Sequence, residues 1–265
     1  MRVQGSSVLL TGASGGIGQA IARALHDSGA TLKLSGRRLD ALEQLRDALG
    51  SDAELLPANL SHGEEVQGLA ERAGNVDVLV SNAALPGSGR LESFSPKEID
   101  RAIDVNLRAP VQLARALLPG MVERGTGHLV FISSLSGKVA SPRSPLYSAT
   151  KFGLRGLAHG LRHDLHGTGV GVSAVYPGFV ADAGMFAETG VTAPGPLRPV
   201  SPERVAGAVV RGIEEGRLEL DVASLPARVG AIVGNLLPAL SARVQHRFGG
   251  AELAESIAKG QASKR

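Results

Sequence analysis

The sequence predicts one α/β domain, a doubly wound parallel sheet, with a C-terminal helical extension. Three observations point there. Short apolar runs alternate with stretches of helical spacing, the runs are continuously apolar, and the first leads straight into a glycine cluster. A strand that is apolar throughout is buried on both faces, as a parallel strand is between two helical layers. Right-handed crossovers then wind helices onto both sides of the sheet.

Val8–Thr11 reads as the first strand and Gln19–Ser28 as the helical stretch beyond the glycines. Thr31–Ser35 is the second strand, and Leu39–Leu49 a helix with Leu42, Leu45 and Leu49 on one face. Ala53–Leu56 and Glu64–Arg72 suggest a third strand and helix. VDVLVSNAA (Val76–Ala84), GHLVFISS (Gly127–Ser134) and GVSAVYPG (Gly171–Gly178) are further strand-like runs. Pro194–Pro202 reads as a surface loop, Ser201-Pro202-Glu203 as a helix start, and Leu218–Val222 as an edge-like last strand. The domain is expected to span 1–222, with 223–265 as helical extension and polar tail. Leu225–Leu240 (LPARVGAIVGNLLPAL) is apolar but interrupted by Arg228, Asn235 and two prolines. A packing or oligomer-interface helix is its first reading; a substrate-pocket lid and a weak interfacial membrane contact are the others. Ala258–Arg265 is polar and expected to fray.

Composition narrows the classes. With 28 basic against 25 acidic residues and only 3% aromatics, nothing supports nucleic-acid binding. The absence of cysteine excludes disulfides, thiolate catalysis and zinc–thiolate sites. No apolar run approaches the ~20 residues of a spanning helix, and the N-terminal run is too short for a signal peptide. The expected location is cytoplasmic.

TGASGGIG (Thr11–Gly18) fits neither G-x-G-x-x-G nor the Walker sequence. It remains a glycine-rich strand-to-helix turn, whose backbone N–H groups and helix N-terminus can receive a pyrophosphate. Gly12, Ser14, Gly15, Gly16, Ile17 and Gly18 are therefore cofactor candidates. The second strand ends in LSGRR, with Arg37 and Arg38 where an acidic residue would bind the ribose of NAD. A guanidinium fork suits the 2′-phosphate of NADP, and two cations at a helix start are otherwise opposed by the macrodipole. NADPH is therefore expected in preference to NADH. In LYSATKFG (Leu146–Gly153), Tyr147 and Lys151 stand four apart and share a face if the segment is helical. An ammonium beside a phenol lowers its pKa from ~10 towards the range of acid–base work.

Taken in order, these pieces resemble the short-chain dehydrogenase/reductase family over roughly residues 5–222. TGASGGIG resembles its T-G-x-x-x-G-x-G turn, and SNAA (Ser81–Ala84) its N-N-A-G segment. VN (Val105–Asn106), ISS (Ile132–Ser134), YSATK from Tyr147 to Lys151 and YPGFV (Tyr176–Val180) resemble its remaining motifs. The resemblance implies a Rossmann-like fold, interconversion of a carbonyl and an alcohol, and a homodimer or homotetramer. It also implies residue roles. Tyr147 would be the general acid in reduction, Lys151 would lower its pKa and hold the nicotinamide ribose, and Ser134 would stabilise charge on the carbonyl oxygen. Asn106 would hold a relay water, while Ser133 would contact backbone or cofactor. Asn59 and Leu60 would lie near the adenine, Asn82, Ala83 and Ala84 would bind the cofactor and support the sheet near it, and Pro177, Gly178 and Val180 would lie along the nicotinamide. Substrate choice would rest with Leu135, Ser136, Val139, Phe179, Met185 and Phe186, in an otherwise apolar set that Asp182 and Glu188 interrupt, hence a hydrophobic ketone or alcohol.

Some positions depart from the family pattern. Ser81 and Ala84 replace an asparagine and a glycine, Asn59 replaces an aspartate, and Asp182 stands near a usual threonine. His159, His163 and His166 could form a ligand face, but this chemistry needs no metal and none is expected. Two rival readings remain. One is an epimerase or dehydratase of the wider superfamily, which would use the same tyrosine and lysine. The other is a non-catalytic NADPH-binding sensor or scaffold, which would be expected to lose part of the Asn106, Ser134, Tyr147, Lys151 set, all present here.

Overall fold

The computed structural model describes residues 1–187, 189–191, 193, 195, 197–247 and 250–261. Glu188, Pro194 and the tail 262–265 lie outside the described residues. Seven parallel strands form one sheet in the order β3-β2-β1-β4-β5-β6-β7. These are β1 (Ser7–Thr11), β2 (Thr31–Ser35), β3 (Glu54–Leu55), β4 (Val78–Ser81), β5 (Gly127–Ile132), β6 (Val170–Pro177) and β7 (Glu219–Val222).

Alternation along each strand divides its side chains between two cores. Val8, Leu10, Val78, Val80, Val130 and Ile132 enter one, where they meet Ile21, Leu25, Leu42, Val205 and Val209. That side is covered by α1 (Gly16–Asp27), α2 (Leu39–Leu49) and α8 (Pro202–Glu215). Leu9, Leu79, Leu129 and Phe131 enter the other with Leu69, Leu113 and Leu154. There the cover is α3 (Gly63–Ala73), α5 (Ala109–Glu123) and α6 (Pro145–Asp164). Where both faces are covered, as along β1, β4 and β5, the strands show no regular polar alternation, whereas β2 (TLKLS) and β7 (ELDV) do alternate.

The strand order reverses between β1 and β4, whose carboxyl ends therefore open a crevice. No element is expected above between 84 and 127. There the chain forms α4 (Pro96–Ile103), a π-turn over Asp104–Arg108, and α5. Ser95 and Glu98 make a reciprocal capping box at the start of α4, a signal present in the sequence as Ser-x-x-Glu. Beyond β6 come the short α7 (Gly184–Ala187), then α9 (Leu225–Leu236), α10 (Pro238–Arg247) and α11 (Gly250–Gln261). The apolar segment 225–240 is thus two helices, broken where Pro238 has no N–H to continue the first. The expectation of a frayed end is corrected. Residues 258–261 complete α11, Ala258 and Gln261 are buried, and Gln261 Nε2 donates to the Met185 carbonyl at 3.1 Å. Among the described residues no helix is long and apolar enough to cross a membrane.

His128 on β5 is the polar exception inside the sheet layer. Its ring lies over its cross-strand neighbour Gly171 and reaches Ser173 Oγ at 2.8 Å. Ser173 spends its only proton on the Arg217 carbonyl at 2.6 Å, so His128 Nε2 is the donor and the ring is neutral. Burial, with smaller contributions from the N-terminal ammonium and Arg162, pushes the His128 pKa down to about 3. Unfolded, the ring titrates near ~6.5, so the stability it protects is complete above that pH. That stability should be lost as pH falls towards about 3, by an amount on the order of a few kcal/mol. Equilibrium denaturation across this window should show the loss, and His128→Gln should flatten it.

Candidate active site

The floor of the crevice is the glycine turn between β1 and α1. Gly12 has φ +64°, and a Cβ there would stand 2.7 Å from Ala83 Cα. A Cβ on Gly18 would collide with the Gly12 carbonyl oxygen. Glycine is required at both places, by the left-handed backbone at one and by the close approach at the other. Gly15 caps α1 without a side-chain acceptor, and no acidic residue stands in the first turn. The leading amides and the positive end of the helix are therefore offered to an anion. Asn82 braces the turn from β4: its Nδ2 donates to the carbonyls of Thr11 and Gly12, at 3.2 and 3.1 Å. Thr11 Oγ1 accepts in return from the amides of Asn82 and Ala83. Nothing in the sequence reading singled out Thr11 for this work.

Ser14 lies against Gly36 at the end of β2, where an added Cβ would come 3.0 Å from its hydroxyl. Arg37 and Arg38 follow, both exposed, with no ion pair between them and any described carboxylate. Asn59 Oδ1 accepts from the amide and hydroxyl of Ser61, at 3.2 and 2.9 Å, and so shapes the turn into α3. Leu60 points into the core, which leaves only its backbone facing outward.

The second wall is α6 packed on the end of β5. Lys151 is buried, and its ammonium donates to the Ile132 carbonyl at 2.9 Å. Ser133 Oγ donates to the Lys151 carbonyl at 3.0 Å, a backbone contact. One turn earlier the Tyr147 ring stands 5.5 Å from that ammonium, measured to its centroid. Burial pushes the phenol up to about 12, and a hydrogen bond with Ser134 works against the rise. Burial also brings Lys151 down to about 8. The rise is opposite to the lowering expected of a lysine neighbour, and burial is its cause. Both shifts run against charge, the common effect of taking the two groups out of water.

Ser134, extended at φ −165°, opens a 3₁₀ turn over Leu135–Gly137 and accepts from the Ser136 amide at 3.1 Å. Asn106 sits in the π-turn, and its amide is fully engaged. Oδ1 accepts from the Leu85 amide at 2.6 Å, while Nδ2 donates to the Leu85 carbonyl at 2.9 Å and Thr150 Oγ1 at 3.4 Å. Thr150 in turn donates to the Tyr147 carbonyl at 2.8 Å. Asn106 therefore ties the loop after β4 to the tyrosine's helix, and its side chain faces protein rather than the cleft. Gly87, unremarked in the sequence, brings that loop against Tyr147, where a Cβ would lie 3.0 Å from the tyrosine nitrogen.

These walls enclose a cavity of about 630 Å³. Ser134, Tyr147 and Lys151 line it, with Ile17, Asn82 and Ala84 on the glycine-turn side. Pro177, Gly178 and Val180 lie along its floor, and Leu135, Ser136, Val139, Phe179, Met185 and Phe186 all reach it. The rings of Phe179 and Phe186 stack 4.4 Å apart. Asp182 takes a left-handed φ of 56°, which turns Ala183 against Gly16. The roof comes from α9, α10 and α11, which supply Ala231, Gly234, Leu240, Leu253 and Ile257; a lid is among the readings of 225–240 above, whereas the share of α11 is not expected there. The i, i+4 spacing of Leu253 and Ile257 was the available signal.

A strand-to-helix glycine turn at the switch point, with a serine, tyrosine and lysine on one cavity wall, defines a nucleotide-dependent oxidoreductase class. The comparisons agree. The short chain dehydrogenase model matches residues 6–192. A Nostoc protein named ketoacyl reductase HetN is 37% identical over 92% of this chain and 90% of its own length. A Streptomyces avermitilis short-chain dehydrogenase superposes with a TM-score of 0.79 at 29% identity, covering 93% of this chain and 97% of that one. A Sphingobium yanoikuyae short-chain dehydrogenase, solved with NADPH, gives 0.76 at 28% identity over 89% and 95%. The chain belongs to the short chain dehydrogenase family. It is an oxidoreductase that uses a nicotinamide cofactor on a small-molecule substrate. The turn fits such a group, because its bare glycines and uncapped helix amides leave room for a diphosphate.

The buried ammonium offers a direct check. With its signal followed by heteronuclear NMR, Lys151 should titrate near about 8, against 10.5 for an ordinary lysine. The signal should vanish in Lys151→Met.

Proposed function

We propose that this protein is an NADP(H)-dependent carbonyl reductase, or in the reverse direction an alcohol dehydrogenase, acting on an apolar substrate. The observation that carries the reading is the convergence of Ser134, Tyr147 and Lys151 on one wall of a cavity whose remaining lining is mostly apolar. When bound, the reduced nicotinamide supplies the hydride. Tyr147 gives its hydroxyl proton to the carbonyl oxygen, and Ser134 donates a hydrogen bond to that same oxygen. Lys151 holds positive charge beside the phenol, which favours the phenolate left after transfer. Asn106 acts as a positioning residue, since its amide is committed to Leu85 and Thr150.

Arg37 and Arg38 support NADPH over NADH: two exposed guanidinium groups at the end of β2 suit a 2′-phosphate. A ketone carried on an apolar chain suits the Phe179–Phe186 side of the cavity, and the name of the Nostoc relative agrees with that class. A cytoplasmic location, a homodimer or homotetramer, and a domain boundary near residue 222 belong to the same reading.

The test is NADPH consumption against carbonyl compounds graded in size and polarity, with NADH in parallel. Turnover should favour NADPH and apolar ketones. Tyr147→Phe should lower kcat by about 10²–10⁴-fold with NADPH still bound. Arg37→Asp with Arg38→Asp should raise the KM for NADPH by about 10–100-fold and spare NADH. Rapid reduction of small charged keto acids alone would sink the apolar-substrate reading. NADPH binding with no turnover across the panel would favour a sensor or scaffold.

A further inference from the structure

Helix α9 is built inside out. At 100° per residue, Leu225, Val229, Ile232 and Leu236 fall in a stripe about 60° wide. Their exposures are 69%, 50%, 55% and 71%. On the opposite side Ala227, Gly230, Ala231 and Gly234 line the cavity. A Cβ on Gly234 would be driven into the Val139 side chain, so at that position the inward face has no room for anything larger. The large apolar residues are therefore turned towards solvent, whereas an ordinary surface helix turns them inward. Leu237, 53% exposed, continues the surface past the end of α9. Outside 225–240, the exposed large apolar side chains among the described residues are scattered singly over the molecule. A contiguous patch of this kind marks a contact surface.

Charge selects the partner. Between Asp221 and Glu252 the chain has no acidic residue, while Arg228, Arg243 and Arg247 are basic. Arg228 is exposed beside the apolar stripe, and Arg243 is exposed on α10. A second copy docked through the same segment would add cations and bring no carboxylate to answer them. A surface that is apolar below and anionic above satisfies both features at once. Residues 225–247, the two helices themselves, have no aromatic residue to anchor them at a neutral interface, so attraction to lipid charge must contribute.

We propose that the α9–α10 face docks reversibly on anionic lipid bilayers, with the Leu225–Leu236 stripe in the interface and the arginines at the headgroups. The inward face of the same helix roofs the cavity, so docking sets the substrate chamber beside the acyl layer. Delivery of an apolar substrate from the bilayer rests on the reductase reading; the docking itself does not.

The full-length protein is tested by co-sedimentation with phosphatidylglycerol-containing and pure phosphatidylcholine vesicles, without substrate. Binding to the anionic vesicles should exceed binding to the neutral ones by at least about tenfold and fall as salt rises. Ile232→Glu with Leu236→Glu should reduce it by about tenfold or more, with NADPH binding and helical content kept as fold controls. Ile232→Leu should leave it unchanged. The salt series on the wild-type protein decides the matter if the double variant does not fold. Absence of vesicle binding overturns the proposal, and so does equal, salt-insensitive binding to both lipids. A larger species in solution that the double variant dissociates, with no vesicle binding, assigns the stripe to a second copy instead.

Discussion

Lys151 is taken out of water with a single backbone carbonyl, that of Ile132, receiving its charge, and the neighbouring geometry is arranged around that burial. A buried ammonium is costly unless its surroundings are fixed to meet it. Ser133 fastens the Lys151 carbonyl from the end of β5, and Gly137 lies so close that a Cβ would stand 2.6 Å from the same oxygen. The lysine, the strand end and the 3₁₀ turn are thus one rigid piece. Ser134 stands within that piece and Tyr147 one helical turn from Lys151, so the two hydroxyls are held by the same contacts. The tyrosine's raised pKa and the lysine's lowered one are two consequences of that exclusion of water.

The parts of the fold legible in the sequence were those where chemistry and position coincide. TGASGGIG could be read because glycine at 12 and 18 answers hard steric limits. The inner strands could be read because burial on both faces removes regular polar alternation. The π-turn that carries Asn106 gave no such sign. A π-turn is one residue inserted into a helix, and no residue type marks it. The expected relay role attached to Asn106 by resemblance, whereas its actual partners, Leu85 and Thr150, are brought together only by the fold. The tail was misread for a related reason: its polarity suggested fraying, yet burial of Ala258 and Gln261 depends on α11 reaching back to Met185.

The roof of the cavity is joined to the catalytic helix by charge. Glu219 on β7 accepts from Arg155 at 2.7 Å and from Lys138 at 2.9 Å, and it meets His159 at 2.8 Å and Tyr176 at 3.0 Å. Lys138 also pairs with Asp221 at 2.5 Å and lies 4.2 Å from the centre of the Tyr176 ring. Burial alone would raise the Glu219 pKa, but hydrogen bonds from Lys138, His159 and Arg155 hold it down at about 2. The tempting histidine stripe on α6 thus resolves, at His159, into a hydrogen-bonding contact with Glu219 on β7.

This network decides what can move independently. Arg155 sits one turn beyond Lys151 on α6, and its other arm reaches Asn235 on α9 at 3.3 Å. Lys138 ends the turn that begins at Ser134. Through Arg155, α9 is therefore linked to the helix that carries Tyr147 and, through Glu219, to the turn that carries Ser134. Breaking one exposed hydrogen bond to Asn235 costs about 0.5–1.5 kcal/mol, whereas unpairing the half-buried Glu219 would cost several times more. The weak link lies between roof and network, and the strong one between network and catalytic wall. An arrangement with that order of strengths lets α9 shift over the cavity while Ser134, Tyr147 and Lys151 keep their positions.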